Sequence, residues 1–420
     1  MKDFFYEWGA LLGVIVLLLL LSMVPECVSS YLRNKEYSCL DDNISEIEEL
    51  IGDYSDYYVV LDDKLNNVPH SISGTEIDDN IFLLIPSNVD ESNLILDFYT
   101  CWDAKLSSYR CDLSNSNTYT VKGKDISIVK SDMQFVFIDI NKSDLAKVES
   151  SFREETNYVK YKASTKVTTE GHSIDAEIKP RGASTWTLYN KLPFNLKMTR
   201  SEDLFGLGKE RKLCLLANAS DKTLLKNEVF FDMARDLGLK YTPKIKNVHM
   251  FFNNSYQGIY SISTRVDSSD TKSSLSDKED FIINWGAAHW DNRVNFTSKF
   301  WAGDGEKEDF SFVDIVYPDK DMVSVADKKR VGTIVQDLVD RIDNRDTTIG
   351  DLIDLESLAK YYWIQEISMN SDAWYRSTYM YYQDGKLHAG PLWDMEWTLG
   401  AVNILFDNTY MYYDTKHLSS

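Results

Sequence analysis

The sequence has few of the residues that build zinc or disulfide frameworks. Its 420 residues include six histidines and five cysteines, and no two cysteines stand in a C-x-x-C pair. Structural zinc sites need such closely spaced ligands, so a zinc site is not expected. Cys101 and Cys111 could close a short loop in an oxidising compartment.

Positive charge is also scarce. The chain has 45 basic and 66 acidic side chains, which gives a net charge of -21. A protein that coats nucleic acid needs a basic surface, so nucleic acid is not expected as a partner. The balance is typical of an extracellular surface. A phosphate-bearing ligand would therefore need local lysines, arginines or a metal ion.

The sequence has one long hydrophobic run, from Gly9 to Val24, and this run carries no charge. Its length lies between that of a signal-peptide core and that of a full bilayer span. Aromatic residues precede it, and such rings favour an uncleaved membrane anchor. We interpret residues 1–30 as an N-terminal hydrophobic helix, either a transmembrane anchor or a signal segment. The main domains are then expected outside the cell, or secreted if the segment is cleaved.

Residues 31–131 contain short runs rich in Val, Ile, Phe and Tyr, separated by Asn, Asp, Ser and Gly. This pattern is typical of antiparallel strands joined by turns. We predict a linker followed by a small antiparallel, β-sandwich-like accessory module. It contains no constellation of residues that suggests catalysis.

Residues 132–420 mix strand patterns with helical ones, which predicts an α+β domain. Helices are predicted at Asp221–Leu237, at Val325–Ile342 and at Asp354–Met369, the last of these buried because it is apolar nearly all round. Asp384-Gly385 predicts a hairpin. In the first helix, four apolar residues recur at every fourth position on one face: Leu225, Val229, Met233 and Leu237.

The stretch GPLWDMEW, from Gly390 to Trp397, places two carboxylates among tryptophans. Taking a charge out of water costs several kcal/mol unless the charge is paired or binds a metal. Oxygen ligands suit Mg²⁺ better than zinc. Asp394 is therefore predicted to bind a metal ion. For Glu396, a structural role in capping a turn is a reasonable alternative.

Asn370 and Asp372 follow the predicted helix that ends at Met369, and Asp394 follows one predicted hairpin later. In phosphoryl transfer, one aspartate positions the attacking hydroxyl, while a second, with a nearby asparagine, holds Mg²⁺. The spacing is consistent with that arrangement. Asn and Asp also favour helix ends for conformational reasons, so capping is the alternative.

Basic and hydroxyl residues cluster in KPRGAST, from Lys179 to Thr185, at the end of a predicted strand. Such a segment can contact phosphate through side chains and backbone N–H groups, although it is neither a Walker loop nor a G-x-G-x-x-G motif. Lys197 lies on the polar face of the next strand and could neutralise nucleotide phosphates. An ordinary polar turn and a solvated lysine are the alternatives.

Several ordered blocks of the chain resemble the spore coat protein H (CotH) kinase family. They include RGASTW, KLPFNLKM, LLANASDKTLLKNEVFFDMARDLGL, GIYSISTRVD, EISMNSDAW and STYMYYQDGKLHAGPLWDMEWTLG. The resemblance covers roughly Gln134 to Gly400 and is strongest over 181–243 and 365–400. So many blocks in the right order are more specific than any single motif.

The resemblance implies a divergent, two-lobed protein-kinase-like domain over residues 132–420. It also implies transfer of the ATP γ-phosphoryl group, with Mg²⁺ or Mn²⁺, to Ser or Thr of a surface or coat protein. Asp372 resembles the catalytic aspartate and Asp394 the metal-binding one, and we assign Asn370 and Glu396 to the metal as well. Three further residues in the shared blocks are assigned to nucleotide or phosphate contact: Arg181, Lys197 and Asn218.

Two positions depart from the family pattern. Glu396 stands where aspartate is common, and Lys226 stands where arginine is common, which weakens a bidentate contact there. Two other functions stay open. The chain could be a catalytically silent surface adhesin or assembly scaffold. It could also be a glycoside hydrolase that uses two carboxylates, which the high aromatic content would suit. The expected partners are a protein substrate and, through the N-terminal helix, a membrane.

Overall fold

The computed structural model describes most of the chain after the N-terminal hydrophobic run. Within the described part, no helix is long and apolar enough to cross a membrane. The predicted anchor at residues 1–30 and the predicted catalytic Asp372 both lie outside the described residues. The described ranges are 37–52, 56–151, 160–182, 184–285, 292–298, 312–370, 373–374 and 377–400.

Two four-stranded sheets form the region up to Ser131. One has the strand order β2-β1-β5-β6 and the other β3-β4-β8-β7. The helices here are α1 (Ile44–Ile51) and α2 (Asp63–Asn66). The strands are β1 (Tyr57–Leu61), β2 (Ile72–Ser73), β3 (Thr75–Ile77), β4 (Asn80–Pro86), β5 (Leu94–Thr100), β6 (Lys105–Cys111), β7 (Thr118–Val121) and β8 (Lys124–Ser131).

The prediction of a purely antiparallel module was wrong for one strand pair. β4 and β8 run parallel, because β5, β6 and β7 intervene between them and supply the long crossover that parallel strands need. Both sheets contribute side chains to one hydrophobic core, as a sandwich-like module requires. On β4 the buried residues alternate at period two: Ile81, Leu83 and Ile85.

The disulfide that Cys101 and Cys111 could form is absent, since both are free thiols. Cys101 is exposed in the turn that follows β5. Cys111 is buried and pairs with Leu94 at the opposite end of the β5–β6 ladder. The two sulfurs therefore belong to opposite ends of one antiparallel pair.

Seven later strands close a barrel in the order β10-β11-β12-β13-β15-β14-β9. β14 pairs with β9 in parallel. The helices in this region are α3 (Lys142–Ser150), α4 (Ser184–Leu188) and α5 (Lys226–Asp236). The strands are β9 (Phe135–Asp139), β10 (Ala163–Thr169), β11 (His172–Pro180), β12 (Phe194–Glu202), β13 (Glu210–Leu216), β14 (Ile245–Phe252) and β15 (Ser255–Thr264).

The remaining described residues form a five-stranded sheet of order β17-β18-β16-β19-β20, with three helices. The β19–β20 hairpin turns at Asp384-Gly385, as the sequence predicts. The elements are α6 (Ser269–Ser274), β16 (Phe281–Trp285), β17 (Arg293–Asn295), β18 (Phe312–Tyr317), α7 (Val325–Asp343), α8 (Leu355–Ser368), β19 (Thr378–Gln383) and β20 (Lys386–Ala389). The whole is a sheet-rich α+β protein.

Helix α5 buries a different face from the one that the sequence suggests. Three of the four apolar residues spaced by four, Leu225, Val229 and Leu237, are 42–50% exposed. The buried residues of the helix are instead Asn227, Phe230, Phe231 and Ala234. The adjacent phenylalanines bury more apolar area than the smaller aliphatic residues, so they set the orientation of the helix.

Helix α8 is buried on one side only, which corrects the prediction of a fully buried helix. Tyr361 and Ile364 are 1% exposed and belong to the core shared with α5. Trp363 and Ile367 are 61% and 59% exposed.

Two compact units divide the chain. The first comprises the described residues up to Ile140, with Lys166–Ser173 and His249–Gly258. The second comprises Asn141–Thr165, Ile174–Val248 and the described residues from Ile259 onward.

Candidate active site

The second unit contains a small cleft of about 80 Å³. Its wall is formed by the segment that follows β11, by the end of β13 and by the stretch that follows β20. Polar residues on the wall include Arg181, Thr185, Asn227, Asp394 and Glu396. The acidic stretch that stood out in the sequence therefore lines a cavity.

Asp394 presents an exposed carboxylate on this wall. Its φ angle is +63°, a left-handed conformation that aspartate tolerates better than most residues. The Ser377 hydroxyl donates a 3.1 Å hydrogen bond to Oδ2 of Asp394. Burial raises the pKa of Tyr379, and the nearby negative charge of Asp394 raises it further.

Glu396 is half-buried and tied to the chain that follows β13. Its Oε1 accepts hydrogen bonds from the backbone N–H of Ser220, at 2.7 Å, and from the Ser220 hydroxyl, at 2.8 Å. Burial raises the pKa of Glu396 and the two Ser220 bonds oppose that rise, while the charges of Asp394 and Asp221 add to it. The carboxyl is thus fixed in place by protein donors.

Asn227, on the wall, links α5 to two other segments of the chain and was not singled out from the sequence. Its Oδ1 accepts a 2.9 Å bond from the backbone N–H of Met395. Its Nδ2 donates a 2.9 Å bond to Oδ1 of Asn218. The sequence gives little signal for this role, because its apolar spacing suggests a different buried face of α5; only the structure shows Asn227 buried beside Phe230 and Phe231, where a polar side chain needs specific partners.

Asn218, predicted to contact nucleotide, is buried and uses its amide on protein partners. Its Nδ2 donates to Ser261 Oγ at 2.6 Å, and its Oδ1 accepts from Asn227. It is not among the residues that line the cleft. Asn218 therefore supports the cleft wall from within the fold.

Arg181 is held at the rim of the cleft by its backbone and its side chain. Its N–H donates to the carbonyl of Pro193 at 3.2 Å, and its guanidinium carbon lies 5.3 Å from the centroid of the Trp393 ring. A guanidinium over an indole face gains a cation–π attraction. The carbonyl of Pro193 also accepts a 3.1 Å bond from Trp186 Nε1. The arginine charge therefore has a fixed position on the wall that carries Asp394.

The structure does not place Lys197 and Asn370 on the cleft wall. Lys197 is exposed on β12, where it pairs in register with Glu177 and Lys212. Asn370 is buried, and its Nδ2 donates to Gln365 Oε1 at 2.7 Å. Of the described site residues predicted from sequence, the cleft brings together Arg181, Asp394 and Glu396.

Asp394 and Glu396 are two candidate oxygen ligands on one wall. Among the described residues, no group of three or more His, Cys, Asp or Glu side chains lies close enough to hold a metal ion. Asp372, the third carboxylate of the predicted set, lies outside those residues. The metal assignment therefore stays a prediction.

Comparison with known families gives one match. The model of a family described as CotH kinase protein matches residues 178–418, more than half of the chain. Curated proteins gave no match. The matched range includes the whole cleft wall, from Arg181 to Trp397.

Proposed function

The chain belongs to the CotH kinase protein family, and from that membership we propose that it is an atypical protein kinase. It transfers the γ-phosphoryl group of ATP to a Ser or Thr hydroxyl of a surface or coat protein. The proposed architecture over residues 132–420 is a divergent two-lobed kinase-like domain. The observation that carries the proposal is the cleft in which Arg181, Asp394 and Glu396 line one wall.

The donor set suits a divalent cation such as Mg²⁺ or Mn²⁺, since both acids offer only oxygen. Asp394, exposed on the wall, would hold the ion. The Oε1 of Glu396 is used by Ser220, so any metal contact of Glu396 would come through Oε2. When bound, the cation neutralises charge on the phosphate chain.

Other residues of the site would position the phosphates and the acceptor hydroxyl. Arg181, fixed over Trp393, would offer its guanidinium to phosphate oxygens, for which its planar fork is well suited. Asp372 would orient the acceptor hydroxyl and take its proton. Asn218 and Asn370 are bonded to neighbouring protein groups, which favours a positioning role for both over direct contact with ATP.

The proposed setting is the outer face of a membrane. The hydrophobic N-terminal segment would anchor the chain, with the main domains outside the cell, or would be cleaved to release them. The acidic net charge of -21 supports a protein substrate over a nucleic acid.

A transfer assay tests the proposed activity. The full chain is incubated with γ-labelled ATP and Mg²⁺ or Mn²⁺, beside Asp372→Asn, Asp394→Asn and the control Asp203→Asn, an exposed aspartate in the β12–β13 turn. We expect label on the chain or on an added Ser-rich protein, reduced by about 100-fold or more in the two site variants and unchanged in the control. A folded wild type that neither binds ATP nor transfers label would contradict the kinase function and favour the catalytically silent scaffold.

A further inference from the structure

An exposed apolar patch lies where helix α8 ends and where the chain leaves the cleft wall. Its members are Trp363, Ile367, Met369 and Leu399, each between 49% and 61% exposed. Trp363 and Ile367 lie one turn apart on one face of α8. The backbone N–H of Leu399 donates a 2.8 Å hydrogen bond to the carbonyl of Ser368. The loop that carries Leu399 is therefore held against the end of the helix, beside Ile367 and Met369.

Aromatic rings continue the patch toward the core. The centroids of the Trp363 and Tyr362 rings are 5.7 Å apart, and those of the Tyr362 and Trp374 rings are 6.3 Å apart. Trp374 also contacts the buried Tyr361, at 5.4 Å between centroids. Trp374 is partly exposed and stands two residues after Asp372 in the sequence. These ring contacts link the patch to the segment that carries the predicted catalytic aspartate.

The apolar stripe of α5 borders the same loop. Leu225 and Val229 are exposed, although their spacing suggests a buried face. Between them, Lys226 Nζ donates a 2.6 Å hydrogen bond to the carbonyl of Thr398, the residue before Leu399. Contiguous exposed apolar surface of this kind marks binding sites on soluble proteins. One apolar partner that lies along this loop would cover both the patch and the start of the stripe.

We propose that residues 402–413, VNILFDNTYMYY, pack on this patch. They follow Leu399 after two intervening residues and lie outside the described part of the chain. Eight of the twelve are apolar or aromatic, whereas six of the seven residues that follow them are polar. The family match covers residues 178–418 and so includes both the patch and the segment. The inference does not rest on the proposed kinase function.

The geometry of the chain favours this segment over a separate partner. Trp363 and Ile367 are about 6 Å apart along the helix axis, and five residues of extended chain span about 17 Å. The first residues of the segment therefore reach the whole patch from Leu399. A tethered segment also has an effective concentration in the millimolar range, which a second copy of the chain or a free protein rarely matches. Packing would remove apolar area from water on both surfaces.

Photo-crosslinking in the full chain tests the contact. Trp363→benzoylphenylalanine places a reactive ketone on the patch, and Trp102→benzoylphenylalanine, at an exposed tryptophan of the first unit, is the matched control. After irradiation, we expect mass spectrometry to find cross-links within one chain from position 363 to residues 402–413, and none to that segment from position 102. Cross-links that only join two chains would overturn the proposal. A yield to residues 402–413 no higher from position 363 than from position 102 would overturn it as well.

Melting temperatures of full-chain variants test whether the contact stabilises the fold. Ile367→Asp and Phe406→Asp should each lower the melting temperature by about 2–4 °C, because each places a charge in an apolar contact. The double variant should fall no further than the more affected single variant, since either charge alone releases the segment. Met322→Asp, at an exposed apolar residue before α7, should change the melting temperature by less than about 1 °C. Losses that add up in the double variant, or no loss in either single variant, would contradict the contact.

Discussion

The core of the first unit and the cleft wall of the second are built on different principles. In the first unit, apolar residues alternate along single strands such as β4, where Ile81, Leu83 and Ile85 point into one core. On the cleft wall, the bonds join residues far apart in sequence. Ser220 bonds Glu396 across 176 positions, and Asn227 bonds Met395 across 168.

This difference teaches where each region is vulnerable. Burial of apolar area is non-directional and spread over many residues, so a sandwich core tolerates conservative exchanges. A buried hydrogen bond is directional, and losing one partner leaves the other unsatisfied at a cost of about 1–3 kcal/mol. The cleft geometry therefore depends on a few polar side chains.

The largest expected effect comes from removing the link that Asn227 makes. Asn227→Ala leaves both Asn218 Oδ1 and the Met395 N–H without their partner. We expect the free energy of unfolding to fall by about 4 kcal/mol, together with a loss of ATP binding, as measured by urea denaturation and calorimetry. Asn115→Ala, at an exposed asparagine of the first unit, should cost less than about 0.5 kcal/mol. Equal losses in the free energy of unfolding for both variants would contradict the proposed difference between the two regions.

The second effect concerns a buried polar group of the first unit, His249. Its ring nitrogens contact Tyr256 Oη at 2.9 Å and Ser131 Oγ at 2.8 Å, and burial lowers its pKa from 6.5 to about 4. The contribution of neutral, buried His249 to the free energy of unfolding is fully present above pH 6.5. It is lost as the pH falls toward 4, because protonation of this histidine then favours the unfolded chain. The expected slope is up to about 1.4 kcal/mol per pH unit. Urea unfolding of wild type and His249→Gln from pH 7.5 to 4 measures it, and parallel curves would refute it.

A smaller effect is expected when the Ser220 hydroxyl is removed. Ser220→Ala takes one donor from the Glu396 carboxylate, so the pKa of Glu396 should rise further. At pH 7 the free energy of unfolding should drop by about 2 kcal/mol, because the bond involves a charged acceptor. The loss should shrink as the pH falls and Glu396 becomes protonated.

The matched control for that prediction is Ser114→Ala in the first unit. Ser114 also donates to a carboxylate, Asp112 Oδ1, at 2.6 Å, but on an exposed turn. There the expected loss of stability is smaller than for Ser220→Ala, because solvent screens an exposed pair. If the exposed pair proves to be worth as much as the half-buried one, burial is not what sets the strength of the cleft bonds.

The smallest effect is predicted for Lys197. Because it is exposed and does not line the cleft, Lys197→Gln should change stability by less than about 0.5 kcal/mol and leave ATP affinity within about twofold. Arg181→Gln should weaken ATP binding by about tenfold. Calorimetric ATP titrations of the two variants decide between them, and a larger loss from Lys197→Gln would restore the assignment made from sequence.

The sequence predicted the elements that depend on local pattern. The strand β4, the β19–β20 turn at Asp384-Gly385 and the helix α7 all follow from local composition, spacing or turn chemistry. The family, too, follows from ordered blocks that include the acidic stretch around Asp394. In each case the information lies within a few consecutive residues, or in blocks whose order is preserved.

What the sequence could not predict depends on contacts between distant segments. The parallel pairing of β4 with β8 reflects a crossover. The burial of Phe230 and Phe231, rather than Val229, reflects the core that α5 packs against. The role of Asn227 depends on a hydrogen bond from the backbone N–H of Met395, 168 positions later in the chain.

The most direct test of the central claim is whether a metal–nucleotide complex binds at Asp394. Electron paramagnetic resonance with Mn²⁺ and ATP, titrated with the full chain, reports the bound ion without requiring a protein substrate. The account predicts a bound Mn²⁺–ATP signal in the wild type and in Asp203→Asn, and its loss in Asp394→Asn. A folded Asp394→Asn protein that binds Mn²⁺–ATP as tightly as the wild type would contradict it.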